Sequence, residues 1–262
     1  MKKQLKTFLA AISYYTRIPC KVQLEESHLS GSIRYFPMIG WITGISSALV
    51  FWAGNYLFDR PIAVILAIVS SVLLTGAIHE DGFADVCDGF GGGWTREKIL
   101  AIMKDSRVGA YGVLGVCLIL LLRFLALEGI LNLCSNQPSI ELSIIVSAHS
   151  FSRFNASTLI YKNNYVRETE NSKASFVSQK NILKDLTVAS TMAALPFILL
   201  LRLAEKPLLL LLIPVLFLIR TYLRNFFRKW IGGYTGDCLG AVQLITEVSF
   251  YLFLIPLWKF TL

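Results

Sequence analysis

Seven stretches of this chain are long and apolar enough to be read as membrane helices, and its polar residues collect between them. A bilayer core takes about 20 apolar residues as helix. Residues 36–58 hold no charge, and 62–78 form a shorter apolar run. Residues 110–127 carry only Arg123, whereas 139–159 are more polar and include Glu141, His149 and Arg153. Residues 186–201 and 207–219 read as a hairpin of two short spans, and 238–257 as the last span. Pro196, Pro214 and Pro256 are candidate kink positions. Ahead of the spans, Leu5, Phe8, Leu9 and Ile12 recur at helical spacing behind Lys2, Lys3 and Lys6. This predicts an amphipathic helix over 2–15, lying on the membrane surface, in place of a cleavable signal. The expected fold class is all-α: a polytopic integral membrane bundle of about seven transmembrane helices with amphipathic surface helices. No repeat, heptad or low-complexity linker divides residues 1–262, which are read as one domain.

Composition sharpens this reading. Of 262 residues, 55% are hydrophobic and 16% charged, against about 25% charged in an average soluble domain. A soluble enzyme, a disordered regulator and a disulfide scaffold are thereby excluded. The five cysteines, Cys20, Cys87, Cys117, Cys134 and Cys238, show no C-x-x-C spacing and read as small apolar fillers. The net charge of +8 first suggests nucleic acid. Topology explains it better. With the N-terminus inside, segments 1–35, 79–109, 160–185 and 220–237 hold 19 Lys and Arg, and the outer segments hold 4. That bias is the positive-inside pattern and needs no nucleic-acid partner. Gly40 with Gly44, and Gly236 with Gly240, form G-x-x-x-G pairs that let helix backbones approach closely in lipid.

The chemistry concentrates after the second span. Asp81, Asp85 and Asp88 stand at i, i+4 and i+7, within an arc of about 60° on a helix. Like charges on one stripe repel, and a cation relieves them. Carboxylate oxygens suit Mg²⁺, Mn²⁺ or Ca²⁺. Glu80 is a further candidate ligand, and Gly82 and Gly89 would let phosphates approach the backbone. The competing reading is a solvated acidic loop. The stripe is similar to the Asp-rich helix of the CDP-alcohol phosphotransferases, although no Gly-x-x-x-Asp-x-x-x-Asp follows it.

Basic and polar groups follow. A surface helix capped by Thr95, with Glu97 in its first turn, leads to Lys104 and Arg107. That pair suits a diphosphate, with Arg as a fork and Lys as a point charge; snorkelling beside headgroups is the alternative. His149 and Arg153 lie one turn apart within a span, poised either for function or for pairing with Glu141 or Glu247. The turn containing Gly233, Thr235 and Asp237 offers backbone N–H groups to a phosphate and one more carboxylate to a metal. Glu247, with Gln243 a turn before it, reads as structural. All four constellations fall on the side assigned to the cytoplasm from Lys and Arg alone. A transporter would instead place paired charges at the midplane between repeated halves.

These residues also carry a resemblance. Thr16-Arg17-Ile18-Pro19, the run Arg34 to Gly40, the run His79 to Gly89, Met103 to Gly109, Ser152-Arg153, and Gly232 to Ala241 occur in order along nearly the whole chain. In this the chain resembles the cobalamin synthase family, the adenosylcobinamide-GDP ribazoletransferases. Many members carry an apolar residue where this chain has Glu80. The resemblance implies a Mg²⁺-dependent, multi-pass enzyme of the prokaryotic inner membrane, with its site facing the cytoplasm. It would join adenosylcobinamide-GDP to α-ribazole, giving adenosylcobalamin and GMP, or to α-ribazole 5′-phosphate, giving adenosylcobalamin 5′-phosphate. Metal on Asp81, Asp85 and Asp88 would hold the diphosphate. Lys104, Arg107 and Arg153 would offset its remaining charge. Either Asp85 or Asp237 would serve as general base. A CDP-alcohol phosphotransferase is the nearest rival activity.

Overall fold

The computed structural model describes residues 2–20, 26–161, 163–166 and 182–260. Two short helices, α1 (Lys2–Tyr15) and α2 (Glu26–Ser32), precede α3 (Phe36–Leu57), α4 (Arg60–Thr75) and α5 (Ile78–Gly92). Then come α6 (Arg96–Ile102), α7 (Ala110–Leu133), α8 (Pro138–Ile160), α9 (Ile182–Ala204), α10 (Leu212–Ile231) and α11 (Gly236–Lys259). Among the described residues there is no strand, and one isolated parallel bridge joins Tyr165 to Tyr234.

Local signals set the boundaries. Pro37 and Pro61 sit in the first turns of α3 and α4, where their missing N–H costs nothing. Thr95 and Thr235 accept the Lys98 and Cys238 N–H groups as N-caps of α6 and α11. Gly232, at φ +80°, closes α10 in the left-handed conformation.

Among the described residues, five segments have the length and composition to cross a membrane: Ile33–Leu57, Ala110–Leu133, Leu183–Ala204, Pro207–Ile231 and Gly236–Lys259. A sixth is α4 with α5, taken as one span broken by an 88° bend. The straight run expected over 62–78 therefore ends early. Gly76 and Ala77 both adopt positive φ, +67° and +58°, and turn the chain sharply. The backbone N–H of Arg17 donates to the Leu74 carbonyl at 2.8 Å beside this corner. The expected fourth span, α8, is long but too polar to stand among the five. It is buried along most of its length, packed by α3, α9 and α11. The hairpin expected over 186–219 is longer than predicted, because α10 continues through its basic residues to Ile231. Of the segment 160–185, residues 162 and 167–181 lie outside the described residues.

Helix contacts follow the small-residue rule. A Cβ at Gly40 would fall on the His149 carbonyl, and one at Gly44 would lie 2.8 Å from Val146 Cα. The α3–α8 seam thus needs both glycines. Two apolar clusters result. One joins Phe51, Ile130, Ile144, Leu200 and Tyr251. The other joins Ile33, Phe36, Ile99, Phe227 and Val242. Between them on α8 and α11 lie His149, Ser152, Arg153, Gln243 and Glu247, all buried. This is a polar layer within an otherwise apolar bundle.

Candidate active site

A cavity of about 360 Å³ opens where α1, α3, α5, α8 and α11 converge. Its polar lining includes Tyr14, Tyr15, His79, Asp81, Tyr234 and Asp237. Each segment that reaches it belongs to a Lys- and Arg-rich segment of the sequence or borders one. Asp81 is exposed to solvent and stands on the first turns of α5. Asp237 stands in the first turn of α11, and its Oδ2 accepts the Thr235 hydroxyl at 3.2 Å. Gly82 brings the two elements together, since a Cβ there would lie 2.9 Å from Asp237 Cα. Gly236 is different: nothing lies within 4 Å of where its Cβ would be. The start of α11 therefore borders open space, and a helix N-terminus favours an anion. Burial pushes the phenol pKa values of Tyr14, Tyr15 and Tyr234 up, so these groups act as neutral hydrogen-bonding walls.

The comparisons decide the family. The chain matches the family model of cobalamin-5-phosphate synthase over residues 7–255. It is 44% identical over 252 residues to the adenosylcobinamide-GDP ribazoletransferase of Shewanella frigidimarina (strain NCIMB 400), covering 95% of this chain and 94% of that protein. It is 41% identical over 255 residues to the protein of that name from Shewanella sp. (strain W3-18-1), covering 97% and 95%. The chain belongs to the cobalamin-5-phosphate synthase family. No solved structure matches it. Membership sets aside the CDP-alcohol phosphotransferase and transporter readings.

Each candidate residue has a defined place in this fold. The acidic stripe forms on α5 as expected, but its members diverge. Asp88 is buried, and its carboxylate accepts the Gly109 N–H at 2.7 Å and the Gly112 N–H at 2.8 Å. It holds the start of α7, so a backbone N–H occupies one acceptor site on each of its oxygens. Glu80, the fourth expected ligand, points into the polar layer, 3.5 Å from Arg123. Among the described residues, no three His, Cys, Asp or Glu side chains come close enough to enclose a metal ion. Mg²⁺ does not require that; it commonly takes one or two carboxylates and completes its shell with substrate phosphates and water. Asp81, with Asp85 one turn along α5, fits this demand in donor type and spacing.

Arg153 is also relocated. It is 1% exposed and lines no part of the large cavity. Its guanidinium donates to the His149 carbonyl at 3.0 Å and lies 3.5 Å from His79 Nε2. Glu247 is the hub of this layer, within 2.5 Å of Arg123 and accepting from Gln243 at 2.7 Å. His79 lines both the layer and the cavity, and it is the side chain through which Arg153 borders the cavity.

The expected phosphate-binding glycines lie at close packing contacts. Gly89 accommodates Met103 and the Ile99 carbonyl of α6, and Gly233 accommodates the Asn164 carbonyl. Thr235 is fully buried and spent on its cap. The Tyr234 N–H donates to the Asn164 carbonyl and its own carbonyl accepts from the Val166 N–H, so the Tyr234 backbone is engaged in the bridge. Lys104 and Arg107 are exposed on the turn between α6 and α7 and do not line the cavity. The Arg107 fork lies on Asp105, at 2.6 Å from Oδ2. Those hydrogen bonds hold the Asp105 carboxyl down to about 2. Sequence reasoning missed Tyr14, Tyr15 and Tyr165. The available signal was a pair of adjacent tyrosines ending an otherwise plain amphipathic helix.

Proposed function

We propose that this chain transfers the cobinamide phosphoryl group of adenosylcobinamide-GDP to α-ribazole, releasing GMP, at the cytoplasmic face of a prokaryotic inner membrane. α-Ribazole 5′-phosphate would serve as an alternative acceptor. The observation that carries this reading is the convergence of Asp81 and Asp237, far apart in sequence, on one cavity at the Lys- and Arg-rich end of the bundle.

The reaction joins a ribose oxygen to the cobinamide-linked phosphorus and breaks that phosphorus's bond to the bridging oxygen, which departs with GMP. Such transfers need positioning and charge neutralisation more than covalent help. Asp81 and Asp85 would hold Mg²⁺, which would neutralise the diphosphate and stabilise the leaving oxygen. Asp237, oriented by the Thr235 hydroxyl, would accept the proton of the attacking ribose hydroxyl. Lys104 and Arg107 follow the acidic stripe, and Gly109, just beyond them, is bonded to Asp88. There they would meet charge that the metal leaves over, with Arg107 exchanging Asp105 for phosphate. The test is to supply both substrates to the full chain in proteoliposomes and measure adenosylcobalamin and GMP. Formation of both in equal amounts, abolished by EDTA and restored by Mg²⁺, is expected. Inserted protein that makes neither overturns the reading.

A further inference from the structure

We infer that the cavity is the acceptor's subsite: it takes the bicyclic base and ribose of the α-ribazole nucleoside, while the corrinoid and guanosine diphosphate stay outside it. This rests on the proposed transferase reading and assigns one of its two substrates to a place.

Size is the first argument. A volume of about 360 Å³ lies near the lower end for ligand pockets, roughly 300–1,000 Å³. A nucleoside with a bicyclic base fills such a space. A corrin ring with its adenosyl and guanosine appendages does not. The walls supply the second argument. Tyr15 and Phe36 pair with ring centroids 4.4 Å apart, and Tyr165 and Tyr234 pair at 5.6 Å. Ile33, 1% exposed, adds an aliphatic wall. Flat apolar bases stack on such surfaces.

Charge is the third argument, and it separates the acceptor from the donor's guanosine, which is also flat. Among the described residues no Lys or Arg lines the cavity, and two carboxylates do. A diphosphate finds no cationic side chain among them. The dimethylbenzimidazole edge of α-ribazole carries no N–H donor and suits the Tyr, Phe and Ile part of the lining. With the base inside, the ribose faces the wall that holds Asp81 and Asp237, where the transfer is proposed.

The test uses the full chain in proteoliposomes. Labelled α-ribazole is bound at equilibrium without the corrinoid, then competed with dimethylbenzimidazole riboside analogues, guanosine or GMP. Displacement by the analogues, and by neither guanosine nor GMP, is expected. Displacement by guanosine or GMP at matching concentrations overturns the assignment. In parallel, Phe36→Ala should raise the KM for α-ribazole about 5- to 150-fold, the range for loss of one base–aromatic stack. The KM for adenosylcobinamide-GDP should stay within about twofold, and Phe36→Trp should restore most of the loss. A rise confined to the corrinoid substrate would overturn the assignment. Failure of the transferase reading is separately visible, as wild-type protein that binds α-ribazole yet forms no adenosylcobalamin.

Discussion

Asp88 on the acidic helix accepts the Gly109 N–H at 2.7 Å, reaching across α6 to hold the start of α7. A carboxylate at a helix N-terminus satisfies orphan donors and complements the helix dipole. Asp88→Asn keeps an acceptor for one N–H and loses the charge. It should lower stability by about 0.5–2 kcal/mol, the range for losing a cap. The concentration of Mg²⁺ needed for half-maximal activity should remain near the wild-type value. Asp81→Asn should do the opposite, abolishing turnover with little change in thermal midpoint. A Mg²⁺ requirement shifted tenfold or more by Asp88→Asn would place that residue in the metal site.

The polar layer makes a second prediction. Glu247 neutralises Arg123 directly and lies 3.3 Å from His149 Nδ1 and 3.9 Å from Arg153. Removing one partner of a buried pair leaves an uncompensated charge and typically costs about 3–5 kcal/mol. Glu247→Leu should therefore depress the thermal midpoint in detergent strongly. Adding Arg123→Leu should recover part of the loss, since the orphaned charge is then gone. A double variant no more stable than Glu247→Leu would show that the pair does not hold the layer.

The two G-x-x-x-G pairs should behave differently. Gly40→Ala places a methyl on the His149 carbonyl, which belongs to backbone and cannot yield easily. Overpacking of this kind costs about 1–3 kcal/mol. Gly236→Ala meets open space and should leave the thermal midpoint unchanged within about 0.5 kcal/mol. Melting curves of the two variants, side by side, test whether α3 is seated on α8 as described.

Much of this was legible in the chain, where the signal was local or periodic. The α3 span, the helix α1, the Thr95 cap and the internal position of Glu247 all follow from spacing and capping chemistry. The acidic helix was legible too, but not the division of labour along it. Asp81 and Asp88 share a stripe, and what separates them is their neighbours: Asp237 from the end of the chain, and Gly109 and Gly112 from the next helix. The bend at Gly76 and Ala77 carries little sequence mark beyond the glycine. The aromatic walls were hidden for a similar reason, since Tyr15, Phe36 and Tyr234 come from three elements whose meeting no periodicity records.

The last prediction concerns Arg107, whose guanidinium is held by a residue of its own turn. Asp105 is held down to about 2 by that contact, below the ordinary carboxylate value of about 3.9. A depressed carboxyl favours the folded turn above its unfolded value, and that preference fades as pH falls through about 2. At any ordinary assay pH the pair is intact, so phosphate must compete with Asp105. Both side chains are exposed, where such pairs are weak, and the exchange is therefore cheap. Arg107→Ala should lower kcat/KM for adenosylcobinamide-GDP about 10- to 150-fold, the range for losing a charge-assisted contact. Arg107→Lys should recover part of this, because a fork becomes a point charge. Asp105→Asn should change the corrinoid KM by no more than about fivefold, consistent with an exposed pair. The KM for α-ribazole should not move in any of the three, since that substrate is assigned to a cavity Arg107 does not line. Steady-state kinetics normalised to inserted enzyme would decide it: an Arg107→Ala enzyme with unaltered corrinoid kinetics removes the phosphate role and leaves Arg107 as a partner of Asp105 alone.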